Sequence, residues 1–128
     1  MKLLLDTHIF IWWASEPERL SEKVLNLCED STNNLILSVV SVWEMQIKLQ
    51  LGKIKLHMPL QDLIESQQQT NNIRIFPIEL RHVLALENLP AYHKDPFDRL
   101  LIAQANVENL FLITKDPVFS EYPVKLVW

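Results

Sequence analysis

Four acidic residues carry the first sign of a chemistry. Asp6 closes the apolar run Lys2-Leu3-Leu4-Leu5, Glu44 stands three residues after Ser41, Asp98 stands three residues after Asp95, and Asp116 follows the apolar run Leu110-Phe111-Leu112-Ile113. Carboxylates gathered without a basic partner repel one another, and hard oxygen donors of this kind suit Mg²⁺ or Mn²⁺ with several waters retained. An ion so held polarises a phosphoryl oxygen, generates hydroxide and braces an oxyanion leaving group, so phosphodiester hydrolysis is the natural chemistry. Each acid also has a plainer reading. Asp6 is an ordinary strand-end acid, and Asp98 completes a helix cap begun at Asp95. Ser41 and Glu44 read as a capping box, and Asp116 before Pro117 reads as a turn former. Their common placement decides between the two accounts.

That placement follows from the elements. Asp95-Pro96 reads as an N-cap followed by proline at the first helical position, where the missing N–H costs nothing. Phe97, Leu100, Leu101 and Ala105 then recur at helical spacing and supply a buried stripe. Asp98 falls in the first turn, near the positive end of the helix dipole, where a carboxylate stays ionised. Short apolar runs predict strands at 2–5, 35–39, 73–76, 110–113 and 124–127. Between them the sequence predicts helices over 9–14 (capped by Thr7), 21–30, 60–70 and 79–87. A further helix opens at Ser41, with Val42, Met45 and Leu49 facing in, Trp43 and Ile47 as further candidates, and Gly52 as its left-handed C′ residue. Strands alternating with helices give an α/β fold with parallel strands. In such sheets ligands bind outside the carboxyl ends of the strands. Asp6, Glu44 and Asp116 fall at or just beyond those ends, and Asp98 joins them if its helix start faces the same edge.

Composition closes several other classes. At 128 residues, 48% of them apolar, the chain is expected to form one domain, 1–128, with a substantial core. The single Cys28 excludes a disulfide framework and a cysteine-rich zinc site, and suits a reducing cytoplasm. Met1 to Ala14 is apolar but broken by Asp6 and His8, which fits neither a signal peptide nor a membrane span. A net charge of −4 argues against a nucleic-acid binder held by bulk charge, yet leaves room for a nuclease with a local basic strip and metal ions. Gly52 is the sole glycine, which closes the P-loop and dinucleotide-fingerprint readings.

The motifs Leu5-Asp6-Thr7-His8, Ser41-Val42-Trp43-Glu44 (with Lys48 and Gly52-Lys53 behind it), Asp95-Pro96-Phe97-Asp98-Arg99-Leu100-Leu101-Ile102-Ala103-Gln104-Ala105 and Thr114-Lys115-Asp116 span residues 5 to 116. In order and spacing they resemble the PIN domain, and the whole chain resembles the VapC-like ribonuclease toxins of type II toxin–antitoxin pairs. The resemblance implies a three-layer α/β/α fold around a central, mostly parallel sheet of four to five strands. It also implies a cytoplasmic, Mg²⁺-dependent endoribonuclease (Mn²⁺ as substitute) acting on RNA, a homodimer, and inhibition by a small antitoxin. Carried over residue by residue, Asp6 and Asp98 are the principal metal ligands. Glu44 is a third acid, binding metal directly or through water, and Asp116 the fourth. Thr7, Ser41 and Thr114 match small hydroxyl positions that orient the acids.

Other residues keep two readings. Lys48, Lys53, Lys55 and His57 either meet RNA phosphates or form a solvated helix face and tail, and the solvated face is the simpler account. His8 and His93 stand beside the acids, but hard metals prefer oxygen, so neither is named a ligand. Arg99 either binds phosphate or pairs with a neighbouring acid. Trp12 and Trp13, adjacent on a helix, cannot both point into one core, so one is expected at a dimer or antitoxin surface. Two rival functions stand against the nuclease. A phospho-receiver module needs an aspartate after the third strand, where this chain has Phe76-Pro77-Ile78. A non-catalytic PIN-like module binding RNA or a partner has no need of intact acids.

Overall fold

The computed structural model describes residues 1–91 and 95–128. Its sheet has five strands: β1 (Lys2–Leu5), β2 (Asn34–Ser38), β3 (Arg74–Phe76), β4 (Phe111–Ile113) and β5 (Leu126–Val127). They lie in the order β3-β2-β1-β4-β5, and every neighbouring pair is parallel. The helices are α1 (Thr7–Ser15), α2 (Glu22–Glu29), α3 (Val39–Gln50), α4 (Leu60–Asn71), α5 (Leu80–Leu84) and α6 (Pro96–Glu108). Short 3-10 turns at Pro17–Arg19, Ala85–Asn88 and Pro117–Glu121 fill the connections. No helix among the described residues is long and apolar enough to cross a membrane.

A central parallel strand is covered on both faces, so it reads as a continuous apolar run. Leu3, Leu4 and Leu5 of β1 are all fully buried. Side chains alternate across a strand, and the two cores follow that alternation. Leu3 and Leu5 join Leu35 and Leu37 of β2 and Ile113 of β4 in one core, closed by Ile9 and Phe10 of α1, Val24 of α2 and Leu63 of α4. Leu4, Ile36 and Leu112 point the other way, into a core with Leu101, Ile102 and Ala105 of α6 and with Phe119 and Tyr122. The result is the three-layer α/β/α arrangement.

Strand order fixes where a ligand can enter. From β1 the chain moves outward through β2 to β3, then returns through α6 to β4 on the other flank of β1 and continues to β5. The loops leaving β1 and β4 therefore diverge, and the crevice at a topological switch point opens between their carboxyl ends.

Several local expectations are corrected. Helix α1 starts at Thr7 and is capped by Asp6, so Thr7 is its first residue rather than its cap. Helix α3 starts at Val39 and is capped by Ser38, whose Oγ accepts the Val40 N–H at 3.1 Å. The capping box at Ser41 and Glu44 does not exist: both residues lie inside the helix, and Glu44 sits in its second turn. The β2 ladder explains the shift, because pairing with β3 ends at Ser38 opposite Phe76, which frees the next residue to begin the helix. Trp43 consequently faces outward, 59% exposed, packed edge-to-face on Phe97 with ring centres 5.0 Å apart. The 79–87 helix is a single α-turn, α5, continued as a 3-10 turn. Gly52, at φ +69°, does take the left-handed conformation after α3.

Candidate active site

Asp6 occupies the centre of the switch point. Its N–H still belongs to the sheet, donating to the Ile113 carbonyl at 3.0 Å, while its side chain already caps α1, with Oδ1 accepting the Thr7 N–H at 2.7 Å. The other oxygen, Oδ2, accepts the Thr114 hydroxyl at 2.9 Å. One residue thus ends a strand, starts a helix and turns its carboxylate to the crevice. Burial pushes the Asp6 carboxyl above the ordinary carboxylate range, and the Glu44 charge adds to the rise. The bonds from Thr114 and Thr7 and the nearby His8 pull the other way without cancelling burial.

Glu44 approaches from α3 with both oxygens engaged. Oε1 accepts the Thr7 hydroxyl at 2.7 Å, and Oε2 lies 2.7 Å from the ammonium of Lys48, one turn further along the same helix. Asp98 comes from the first turn of α6, whose cap is Asp95: its Oδ1 accepts the N–H of Phe97 at 2.9 Å and of Asp98 at 3.2 Å. Asp116, three residues beyond β4, caps the short turn that follows, with Oδ1 accepting the Val118 N–H at 3.0 Å. Its own N–H donates to the Thr114 hydroxyl at 3.1 Å. The turn-forming account of Asp116 is therefore correct as far as it goes, and it leaves one carboxylate oxygen for other work.

All four acids line one cavity of about 430 Å³, together with Asp95 and Lys48. Sequence reasoning brought the acids to one rim and named three hydroxyls to orient them, of which two do so. Thr7 holds Glu44 and Thr114 holds Asp6, whereas Ser41 is buried with no hydrogen bond from its Oγ. It undervalued Lys48, which is not part of a merely solvated face. A signal was available, because Glu followed four residues later by Lys on a helix is a favoured ion pair. Lys115 also lines the cavity and was missed: it is exposed, and its ammonium lies 5.9 Å from the Trp12 ring centre and 5.8 Å from that of Trp128.

The remaining candidates separate. Lys55 and His57 line a neighbouring cavity of about 680 Å³ that holds none of the four acids but shares His8 and Trp12 with theirs. Lys53 is exposed in the loop after α3. His93 lies outside the described residues. Among the described residues Arg99 binds carbonyls and a hydroxyl rather than an acid. Its guanidinium donates to the carbonyls of Pro90 at 2.6 Å and Leu86 at 3.4 Å, and to the Tyr122 hydroxyl at 3.4 Å, tying the segment before α6 to the domain. Trp12 and Trp13 are both half-buried against the same core, so neither stands out as a free surface ring.

A second cluster of potential donors, Glu79, His82 and Glu108, lies away from this cavity. His82 Nδ1 accepts the Glu79 backbone N–H at 2.9 Å. A neutral imidazole used that way carries its proton on Nε2, the atom 2.9 Å from Glu108 Oε1. That tautomer has no lone pair for a metal, and Arg81 already pairs with both glutamates. The cluster staples α5 to the end of α6.

Thr114 offers a direct test of the geometry around Asp6. Thr114→Val keeps the shape but leaves a buried carboxylate oxygen and the Asp116 N–H without this partner. The loss expected for such unsatisfied groups is about 1–3 kcal/mol. A thermal melt of the metal-free variant should show a lower midpoint, and an unchanged one would mean that Thr114 does not hold Asp6 in solution.

Comparison with known proteins agrees with this geometry. The family model of the PIN domain matches residues 3–125. Ribonuclease VapC22 of Mycobacterium tuberculosis is 30% identical over 115 residues, covering 89% of this chain and 86% of that protein. Among solved structures, VapBC2 from Rickettsia felis, bound to a DNA fragment from its promoter, superposes with a TM-score of 0.75 at 18% identity, covering 99% of this chain and 98% of the other. VapBC-5 from Mycobacterium tuberculosis, of the VapBC family of toxin–antitoxin systems, gives a TM-score of 0.58 at 15% identity, covering 94% and 89%. At such identities these structures speak for the fold alone.

Proposed function

Because this chain belongs to the PIN domain family, we propose that it is an endoribonuclease that hydrolyses RNA phosphodiester bonds with a divalent metal ion, Mg²⁺ or in its place Mn²⁺, and acts as the toxin of a toxin–antitoxin pair. The supporting observation is the convergence of Asp6, Glu44, Asp98 and Asp116 on one cavity at the switch point of the sheet. On this reading residues 1–128 are one catalytic domain working in the cytoplasm as a homodimer, silenced by a small antitoxin. The kinship with a protein named as a ribonuclease and the likeness to VapBC assemblies support the substrate and the partner. Exposed apolar side chains on α5 (Leu80, Val83 and Leu84) and Trp43 on α3 offer area for such contacts.

The donor set fits a hard cation. Carboxylate oxygens make up the acidic wall, and the carboxylate of Asp6 is disfavoured as an anion by its burial until a positive charge arrives. Asp6 and Asp98 would hold the ion, Glu44 would bind it directly or through water, and Asp116 would complete the set. When bound, the ion supplies a hydroxide for attack on phosphorus and charge for the departing oxygen. The chain's own part is positioning. Thr114 fixes Asp6 and Thr7 fixes Glu44, so both carboxylates are oriented before substrate arrives. Asp116, at the exposed mouth of the cavity, would take up the proton that the attacking water gives up.

The experiment is cleavage of single-stranded RNA by the purified protein with Mn²⁺, with Mg²⁺ and with excess chelator. Cleavage should appear with either ion and vanish with chelator. Activity that survives exhaustive chelation would sink the metal mechanism. Binding of RNA with no cleavage under any condition would leave a non-catalytic module.

A further inference from the structure

We propose that Lys48 is the resident counter-cation of this site, its ammonium filling the place beside Glu44 that a second divalent ion would take, so that the site takes up one metal ion. The proposal rests on the metal-nuclease reading above and adds the number of ions and the residue that sets it.

A buried carboxylate needs compensation, and Glu44 is only 6% exposed. Its charge is compensated from within the chain. The Thr7 hydroxyl serves Oε1 and the Lys48 ammonium serves Oε2, each at 2.7 Å. The Lys48 side chain is 29% exposed, so the pair sits at the cavity wall, where it is held in place and still faces the space in which substrate would lie. A second divalent ion drawn up to Glu44 would lie against the Lys48 ammonium and be repelled by it. The exposed Lys115 engages the rings of Trp12 and Trp128 instead. Among the described residues Asp6 has no lysine partner: its oxygens take hydrogen bonds from neutral donors, Thr7 N–H and the Thr114 hydroxyl, so its charge is left for an added cation. Glu44 and Asp6 are therefore unequal, one paired with a cation from within and the other left for metal. A lysine ammonium is a compact point charge that also serves phosphates. In this place Lys48 supplies one positive charge toward a phosphodiester where a two-ion site would supply two.

Calorimetric titration of Mn²⁺ into the metal-free protein tests this without reference to activity. The parent should bind one ion. Lys48→Gln and Lys48→Met, which remove the charge, should bind a second ion or bind the first about tenfold more tightly, the effect of one unit charge on a divalent ion roughly 6 Å away at a water-like dielectric. Lys48→Arg, which keeps the charge, should behave as the parent does. Equal affinity and count in the parent and both neutral variants overturns the role of Lys48. Two ions bound by the parent overturns it as well, and decides the matter even if the neutral variants fail to fold. A parent that takes up no Mn²⁺ overturns the metal reading of the whole site, a failure distinct from the others.

Discussion

Asp6→Asn makes the metal-free protein more stable than the parent while ending cleavage. The stability gain has two sources. Burial and the neighbouring Glu44 charge both raise the Asp6 carboxyl, so the fold works against its ionisation. Asparagine also suits the existing hydrogen bonds: its carbonyl accepts the Thr7 N–H, and its amide donates to the Thr114 oxygen, which has a lone pair left beside the one taken by Asp116 N–H. Two carboxylates about 5 Å apart at an effective dielectric near 20 repel by roughly 3 kcal/mol, an upper-end figure in a cavity open to water. A net gain of about 1 kcal/mol is expected, or roughly 3–6 °C in midpoint for a domain of this size. The sign with pH follows. A folded-state pKa above the unfolded value makes the charged acid a liability at neutral pH, and this liability fades as pH falls through the raised folded value towards the unfolded one. The gap between parent and variant should therefore be widest near neutrality and close on acidification. Metal reverses the ranking. At a hundred times its dissociation constant, an ion binding only the folded state stabilises the parent by about 2.7 kcal/mol, and the variant should show little of this. Paired melts with Mn²⁺ and with chelator decide the point, and an equal metal shift in the two proteins would remove Asp6 from the ligand set. Cleavage should drop at least about a thousandfold, the equivalent of roughly 4 kcal/mol of transition-state stabilisation.

The second large effect is at Glu44. Glu44→Gln keeps an oxygen for the Thr7 hydroxyl, and it removes the charge that pairs with Lys48 and repels Asp6. A partly exposed ion pair contributes about 0–1 kcal/mol, and the relief at Asp6 works in the opposite direction. The midpoint should move by only a few degrees. Activity should fall at least about a hundredfold, because the lost charge belongs to the acidic wall proposed to meet the phosphodiester. Melting curves beside initial cleavage rates test both halves. Full activity in a well-folded Glu44→Gln protein would return Glu44 to the part of a structural partner for Lys48.

How much of this was legible in the sequence depended on what each local signal had to compete with. The strands could be read because a central parallel strand has no polar face: Leu3-Leu4-Leu5 and Leu35-Ile36-Leu37 leave no other phase. The cap at Asp95-Pro96 was equally plain, since proline fixes the first helical position. The start of α3 was not. Ser38 and Ser41 are both good caps, and Ser41 had a glutamate three residues on. The choice was made by the sheet, through the register of β2 against β3, which no local window contains. That slip did not move Glu44 off the rim, yet it changed what the residue is for. A capping acid would point along the backbone, whereas Glu44 in the second turn reaches across to Thr7. The outward face of Trp43 was hidden for a related reason: α3 is apolar on several sides, so its periodicity does not specify a phase. Arg99 could not be assigned because its partners are carbonyls of Leu86 and Pro90, groups that every residue carries.

The position of β1 also sets an order of events. Asp6 is made more than a hundred residues before the groups that hold it, its N–H by Ile113 and its carboxylate by Thr114. Until β4 slots in beside β1, that strand lacks one of its two neighbours and the Asp6 carboxylate lacks its Thr114 contact. The whole stretch from β1 to Thr114 must therefore be synthesised before the acidic wall can assemble. Making the acids and bringing them together are separate events, and the second waits on β4.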